Sequence, residues 1–418
     1  MPTFTVIMAT YNRGRHIAPS IRSVLAQTLQ DFEFLVIGDC CDDDTQEVVE
    51  GFGADGVLWH NIPERCGSQS FPNNAGIGMA RGRYIAYLGH DDVWAPDHLA
   101  TVAGLIGRNP DLDFAVSGAV LHGPPGSNKR AVTGIFSDER APFEHFFPPS
   151  SFSHRRDVTD RVGLWLSPKE TRAPVDADFL LRAAHAGMKF ASTQRITVHK
   201  FAAAHRYLSY LCLTSDEQEE MLRRTSEPGY QEFVAAELAA ARADGSFMTT
   251  KQRSFRSKAK GKIAAANART KGTILPALQR LERREVIKQD RLRRAFDWQR
   301  PKLWRKRTRW VGLNPKPRVL IPFAHRGKVM IELYLAHDQS EALDRLSLSV
   351  NGLPHLARMS APRRQGSVWE ATATLECELR ETDFTVLELD LTPSQRPLEG
   401  RRGIGMAEIV VQPLASRE

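Results

Sequence analysis

The side chains best suited to chemistry fall into four short clusters. They are Thr10-Tyr11-Asn12-Arg13; Asp39 with the following Cys40-Cys41-Asp42-Asp43-Asp44-Thr45; His90-Asp91-Asp92; and Asp176-Ala177-Asp178. Grouped carboxylates of this kind hold hard cations or take up protons. Each cluster also has a plainer reading. Asp42 to Asp44 make a polar turn whose Asp43 or Asp44 caps a helix. Asp92, with Pro96 close behind, opens a helix. Asp176 is a helix N-cap, and His90 is a loop histidine in solvent. The Asp39–Asp44 run is not a calcium loop, because the spaced Asp/Asn pattern, the mid-loop glycine and the terminal glutamate are missing.

The elements around these clusters decide between the readings. Phe4 to Ala9, Phe32 to Ile37, Val57 to Asn61 and Tyr84 to Leu88 are short apolar runs that read as buried strands. Between them, Arg15 to Leu29 carries Ile17, Ile21, Val24 and Leu25 at helical spacing. Asn74 to Arg81 reads as a helix closed by Gly82, and Pro96 to Ile106 as another. Strands alternating with helices imply a mostly parallel sheet covered on both faces. Ligands bind such sheets beyond the carboxyl ends of the strands. Three of the four clusters lie there, and the fourth opens a helix through Leu181 and Arg182.

Taken together, the stretches Val6–Arg13, Ser23–Gln27, Leu35–Asp39, Asn74–Gly78, Ala80–Leu88 and His90–Trp94 resemble family 2 glycosyltransferases of the GT-A fold. The resemblance covers roughly residues 3–205, with six motifs in the expected order. It implies that Thr10, Tyr11, Asn12, Arg13, Asp39, Asn74 and His90 bind a nucleotide-sugar donor. Asp39 would accept a hydrogen bond from a pyrimidine ring N–H, a task suited to a group that accepts without donating. Asp91 matches the last Asp of the family's DxD metal motif, so Asp91 and Asp92 would hold Mg²⁺ or Mn²⁺ against the diphosphate. His199, after a strand expected over Thr193 to Val198, would be a third metal ligand; Lys200 and His205 are cations that would otherwise face the phosphates. Asp176 matches the catalytic base, with Asp178 as the alternative two residues on. One departure stands out: Gly89 replaces the first Asp of DxD. Cys40-Cys41 also replaces the usual Gly-Ser.

The bulk numbers set limits on all of this. The chain has 418 residues, which suggests two or three domains. A net charge of +8 favours anionic partners: nucleotides, nucleic acid or an anionic membrane. Five cysteines without a CxxC pair argue against a disulfide framework or zinc site and fit a reducing cytoplasm. The first residues lack a basic n-region and a long apolar run, so no signal peptide is expected, and no run of about 18 apolar residues spans a membrane. The expected organisation is a GT-A domain over 1–215, a helical basic connector over 216–315 and an accessory β-sandwich over 316–418. In the connector, Asp216 to Ala243 reads as one helix, and Phe296, Trp298, Trp304 and Trp310 interleave with Lys and Arg over 251–310 as membrane-surface segments do. No nucleic-acid module accompanies it. In the sandwich, Trp369 is the main candidate for stacking on a sugar ring.

Inverting transfer from a nucleotide sugar, a UDP-sugar by preference, to a hydroxyl of a glycan or lipid-linked acceptor is the function the resemblance implies. The setting would be bacterial surface polysaccharide synthesis, with the protein cytoplasmic and peripheral at the inner face of the membrane. The rival readings are a metal phosphohydrolase using His90-Asp91, a nucleotidyltransferase and a non-catalytic nucleotide-sugar-binding scaffold.

Overall fold

A computed structural model describes residues 1–123, 130–137, 147–211, 214–246, 275–288, 309–310, 316–391 and 404–414, with isolated positions 125, 143, 145, 271 and 272. The chain forms two compact units. The first comprises Met1–Gly123, Lys129–Ala203 and Leu213–Ala264; the second comprises Pro124–Asn128, Ala204–Cys212 and Ala265–Glu418.

The first unit is built on a nine-stranded sheet. Its strands are β1 (Phe4–Thr10), β2 (Phe32–Gly38), β3 (Val57–Asn61), β4 (Tyr84–Tyr87), β5 (Val93–Trp94), β6 (Phe114–His122), β7 (Arg130–Thr133), β8 (Phe152–Arg155) and β9 (Phe190–Phe201). They run in the order β3-β2-β1-β4-β8-β6-β9-β5, with β7 beside β6. β3, β2, β1 and β4 are mutually parallel, as are β6 and β9, while β8 is antiparallel to both its neighbours. In β1, six of the seven side chains are buried, as a strand covered on both faces requires. Val6 and Met8 pack on one side with Ile21 and Val24, and Ile7 on the other with Ile77 and Ile85. This is the mostly parallel sheet that the alternating pattern implies, in keeping with the Rossmann-like GT-A fold that the family resemblance implies.

The helices are α1 (Ala18–Leu25), α2 (Thr45–Glu50), α3 (Ser70–Met79), α4 (His98–Arg108), α5 (Val158–Val162), α6 (Val175–His185), α7 (Asp216–Thr225) and α8 (Tyr230–Asp244). Three differ from the sequence expectation. α3 begins at Ser70 rather than Asn74, and Gly82 does not cap it, since Ala80 is already extended at ψ 132. Gly82 instead serves a close approach: a Cβ there would lie 2.4 Å from the Thr5 amide nitrogen. α1 is shorter than Arg15 to Leu29 and follows a 3-10 turn over Gly14–His16. The helix expected over Asp216 to Ala243 is two, α7 and α8, because Ser226-Glu227-Pro228-Gly229 interrupts it.

In the second unit, two antiparallel sheets share one core. Lys328–His337 pairs with Val368–Glu378 and Gly405–Pro413 in one sheet; Arg318–Ile321, Thr385–Asp390, Ser347–Val350 and Leu353–His355 form the other. Val329, Ile331, Leu333 and Leu335 alternate inward, as the two-residue period demands, and meet Val319, Ile321, Leu348, Leu387 and Leu389. Trp369 packs against this core rather than standing clear of it. Within the basic stretch, Glu285–Lys288 is a strand paired with Gly405–Pro413, not a helix. Phe296, Trp298 and Trp304 lie outside the described residues. No helix among the described residues is long and apolar enough to cross a membrane.

Candidate active site

Strands β1, β2 and β4 deliver three of the four clusters to one edge of the sheet. β1 and β2 end in register at Thr10 and Gly38, and the Asp39 amide donates to the Thr10 carbonyl at 2.8 Å. The chain then turns sharply, with Asn12 at φ 46 and Cys40 at φ 58. Asn suits this left-handed conformation better than most residues. Two reciprocal pairs hold the turn. The Asn12 side chain donates to Asp42 at 2.6 Å and accepts from the Asp42 amide at 3.1 Å; Asn61 does the same with the Cys41 backbone at 3.0 and 2.9 Å. The cysteine pair therefore sits in a turn fixed through backbone groups, and burial pushes the Cys41 thiol up to about 11.

Asp39 is buried, and its two oxygens accept from the Cys66 and Gly67 amides, each at 2.8 Å. A carboxylate has lone pairs beyond these two. Beside it, the Arg65 guanidinium lies 3.7 Å over the Tyr11 ring. Arg13 is fully buried. Its amide donates to Thr45 Oγ1 at 2.7 Å, and its Nε–H donates to His90 Nε2 at 3.1 Å, which joins the first cluster to the third.

Asp91 and Asp92 differ sharply in their surroundings. Asp92 is fully buried and its oxygens are already engaged. Oδ1 accepts from the Phe201 amide at 3.0 Å; Oδ2 accepts from Lys200 Nζ at 2.9 Å and from the Ser150 hydroxyl. In this structure it joins β9 to the Ser150 turn, so its expected place as a metal ligand would have to compete with these bonds. Asp91 is nearly buried. Burial alone would raise its pKa, but His90, Lys200, Arg13 and His16 overcome that and hold it well below the ordinary carboxylate range. Its carbonyl accepts from Gln218 on α7 at 3.2 Å. α7 is also tied in by His16, whose Nδ1 meets the Thr214 carbonyl at 2.6 Å, and by the Arg22–Glu219 ion pair.

His199, the expected third metal ligand, faces away from Lys200. β9 runs on to Phe201, so His199 and Lys200 lie inside the strand and face opposite sides. His199 is fully buried, with Nε2 2.9 Å from the Tyr230 hydroxyl and Nδ1 3.1 Å from His122 Nε2. Lys200 takes the side that faces the carboxylates. Burial disfavours its charge, yet Asp92, Asp91 and Asp176 push its pKa up to about 12. Asp176, in the fourth cluster, is thus near enough to Lys200 to add to the field that holds its charge. Among the described residues, no three His, Cys, Asp or Glu side chains form a metal-ligand set. His205 falls in the second compact unit, apart from these groups in the chain's division.

Asp176 is half-buried in the first turn of α6. Asp178, the alternative base, pairs with Arg182 at 2.9 Å. Arg182 in turn donates to the carbonyls of Val162, Gly163 and Leu164, which fastens that turn to α6. Asn74, expected at the donor, bonds the Trp165 backbone through both ends of its amide, each at 2.9 Å. Trp165 Nε1 donates to the Tyr87 hydroxyl at 3.1 Å, and that hydroxyl lies 2.9 Å from His154. Sequence reasoning missed Ser150, Gln218, His16 and Arg182, each of which acts on a partner far away in sequence.

Residues 5–146 match the profile of the family described as glycosyl transferase family 2. The uncharacterized glycosyltransferase alr2836 of Nostoc sp. is 26% identical over 234 residues, 51% of this chain and 69% of that protein. The succinoglycan biosynthesis protein ExoO of Rhizobium meliloti is 37% identical over 99 residues, 24% of this chain and 28% of ExoO; this chain thus spans under a third of that relative's length. The crystal structure of S. aureus TarS 1–349 aligns with 55% of this chain and 74% of its own, at 18% identity and a TM-score of 0.41, a likeness too distant to inform activity. With the family's motifs in order along residues 5–146, and the sheet gathering them at its carboxyl edge, the N-terminal part of this chain is similar to glycosyl transferase family 2.

Proposed function

We propose that the N-terminal domain transfers a hexose, with inversion, from a nucleoside diphosphate donor to a hydroxyl of a glycan or lipid-linked acceptor. A UDP-sugar is the preferred donor, and bacterial surface polysaccharide the product. The observation that carries this reading is the placing of Asp39 and Asp91 beyond the carboxyl ends of β2 and β4, with Lys200 held 2.9 Å from the neighbouring Asp92. The base would take the proton from the acceptor hydroxyl as its oxygen bonds to the anomeric carbon. On the opposite side, the bond from that carbon to the β-phosphate oxygen breaks, and the electron pair leaves on the diphosphate. The nucleobase end would lie at Asp39, Tyr11 and Thr10. The name of ExoO, a succinoglycan biosynthesis protein, supports a polysaccharide product. A cytoplasmic protein at the inner membrane face, held there by residues 251–310, remains part of the proposal; that stretch falls largely outside the described residues.

The Mg²⁺ or Mn²⁺ implied by the family resemblance does not fit this donor set. A Cβ at Gly89 would lie 2.7 Å from Asp92 Oδ2 and 3.2 Å from Asp91 Oδ1, so the first DxD carboxylate has no place. Asp92 and His199 are bonded elsewhere. That leaves Asp91 alone, already surrounded by cationic side chains. No step of the scheme is therefore routed through a metal.

Transfer from a panel of UDP-, GDP- and dTDP-sugars to lipid-linked and soluble glycan acceptors tests the reading. Asp176→Asn should lower kcat by about 10²–10⁴ while leaving donor affinity within about threefold. An Asp176→Asn enzyme as fast as wild type would remove Asp176 from the chemistry.

A further inference from the structure

A departing diphosphate must have its new negative charge offset, and fixed charges already in place do this with little reorganisation. In family members with a full DxD motif, a cation supplies that charge by the resemblance given above; here the geometry around Gly89 and Asp92 removes the ligands for it. Four basic side chains stand about Asp91 instead: Lys200 and Arg13, which carry fixed charges, and the rings of His90 and His16. They are not equivalent. Arg13 is fully buried behind His90, and His16 faces Thr214. Lys200 is different. Its side chain is 22% exposed, and its ammonium is held 2.9 Å from a carboxylate that is itself wholly buried.

This arrangement is a fixed positive charge with an open side. An ammonium carries three N–H donors, and one points to Asp92. Asp92 is pinned by the Phe201 amide and by Ser150, so the ammonium cannot drift with it. Its charge is felt by the carboxylate that matches the family base on one side and by Asp91 on the other.

Resting on the transferase reading above, we propose that Lys200, backed by the Arg13–His90 pair, neutralises the donor's leaving diphosphate in place of a divalent cation, so that donor is bound and used in the presence of chelator. The electron pair released as the sugar–oxygen bond breaks stays on the β-phosphate oxygen, where the Lys200 N–H groups meet it. The acceptor's proton passes to Asp176, and no co-reactant is consumed.

Calorimetric titration of the full chain with UDP, GDP and dTDP, in EDTA and in MnCl₂, tests this. One nucleotide should bind in EDTA within about threefold of its affinity in Mn²⁺, and Lys200→Gln should weaken it about tenfold or more in both media, with Lys200→Arg restoring most of the loss. Binding seen only with Mn²⁺, or unchanged in folded Lys200→Gln, overturns the proposal and leaves the transferase reading standing. No binding in either medium overturns both. Should Lys200→Gln fail to fold, the wild-type comparison of EDTA with Mn²⁺ still decides.

Discussion

Lowering the pH from 7 to 5 should strip much of the stability from the N-terminal unit, because three of its histidines are buried as neutral rings. His98 stacks on Trp94 at 4.1 Å between centroids and meets Thr197 Oγ1 at 2.7 Å. His154 meets the Tyr87 hydroxyl, and His199 lies between Tyr230 and His122. Burial holds His98 and His199 down to about 3, the latter helped by Arg130 and Arg224; it holds His154 down to about 4 against the opposing pull of the Arg155 carbonyl and Asp157. An unfolded histidine titrates near 6.5. Below that value the unfolded chain takes up protons that the folded one refuses. The stability is thus whole above about pH 6.5 and is lost as pH falls towards the folded values. Each ring costs about 2 kcal/mol between pH 7 and 5, and the three together about 6 kcal/mol. That is comparable with a whole domain's stability of about 5–15 kcal/mol. Urea unfolding at pH 7, 6 and 5, followed by tryptophan fluorescence, measures it, with Trp94 beside His98 and Trp165 bonded to Tyr87 as reporters. A free energy at pH 5 within about 1 kcal/mol of that at pH 7 would refute neutral burial of these rings.

Other perturbations have equally definite outcomes. Asp92→Ala leaves Lys200, Ser150 and the Phe201 amide without their shared acceptor and should cost about 3–5 kcal/mol, read as a lower urea midpoint. Asn74→Ala frees both backbone groups of Trp165 and should cost about 1–3 kcal/mol in the same assay. Rebuilding the motif with Gly89→Asp should lower stability and leave Mn²⁺ affinity no higher by calorimetry, since the new Cβ meets an oxygen of a carboxylate that three donors hold in place, two of them on that oxygen. A gain in Mn²⁺ affinity would show that this corner can rearrange.

The parts of the fold written in local pattern were legible in advance. Buried parallel strands announce themselves as unbroken apolar runs, so β1, β2, β3 and β4 were found within a residue or two. The ends of those strands located Asp39 and Asp91. What no local pattern carries is the partner of a polar side chain. Asn74 looks like a free amide until Trp165 arrives, 91 residues later in the chain. Asp178 resembles Asp176 in sequence, but only Asp178 has an arginine one helical turn away to capture it. The choice between His199 and Lys200 depended on strand length. A strand ending at Val198 would leave both free to turn, whereas one reaching Phe201 forces them apart.

The hydrogen bonds of α7 bear on how this domain can be exchanged between proteins. Gln218 and Thr214 hold Asp91 and His16, yet both come long after the six motifs, and Gln218 lies beyond residue 215. Lys200 and Asp176 also lie outside the stretch 5–146 that carries the family match. A recombination crossover placed at residue 146 or at 215 would pair one parent's Asp91 with another parent's α7. The smallest segment that can be inherited as a working whole therefore runs past Thr225, so chimaeras joined downstream of α7 should keep the site intact, while those joined upstream would have to rebuild it.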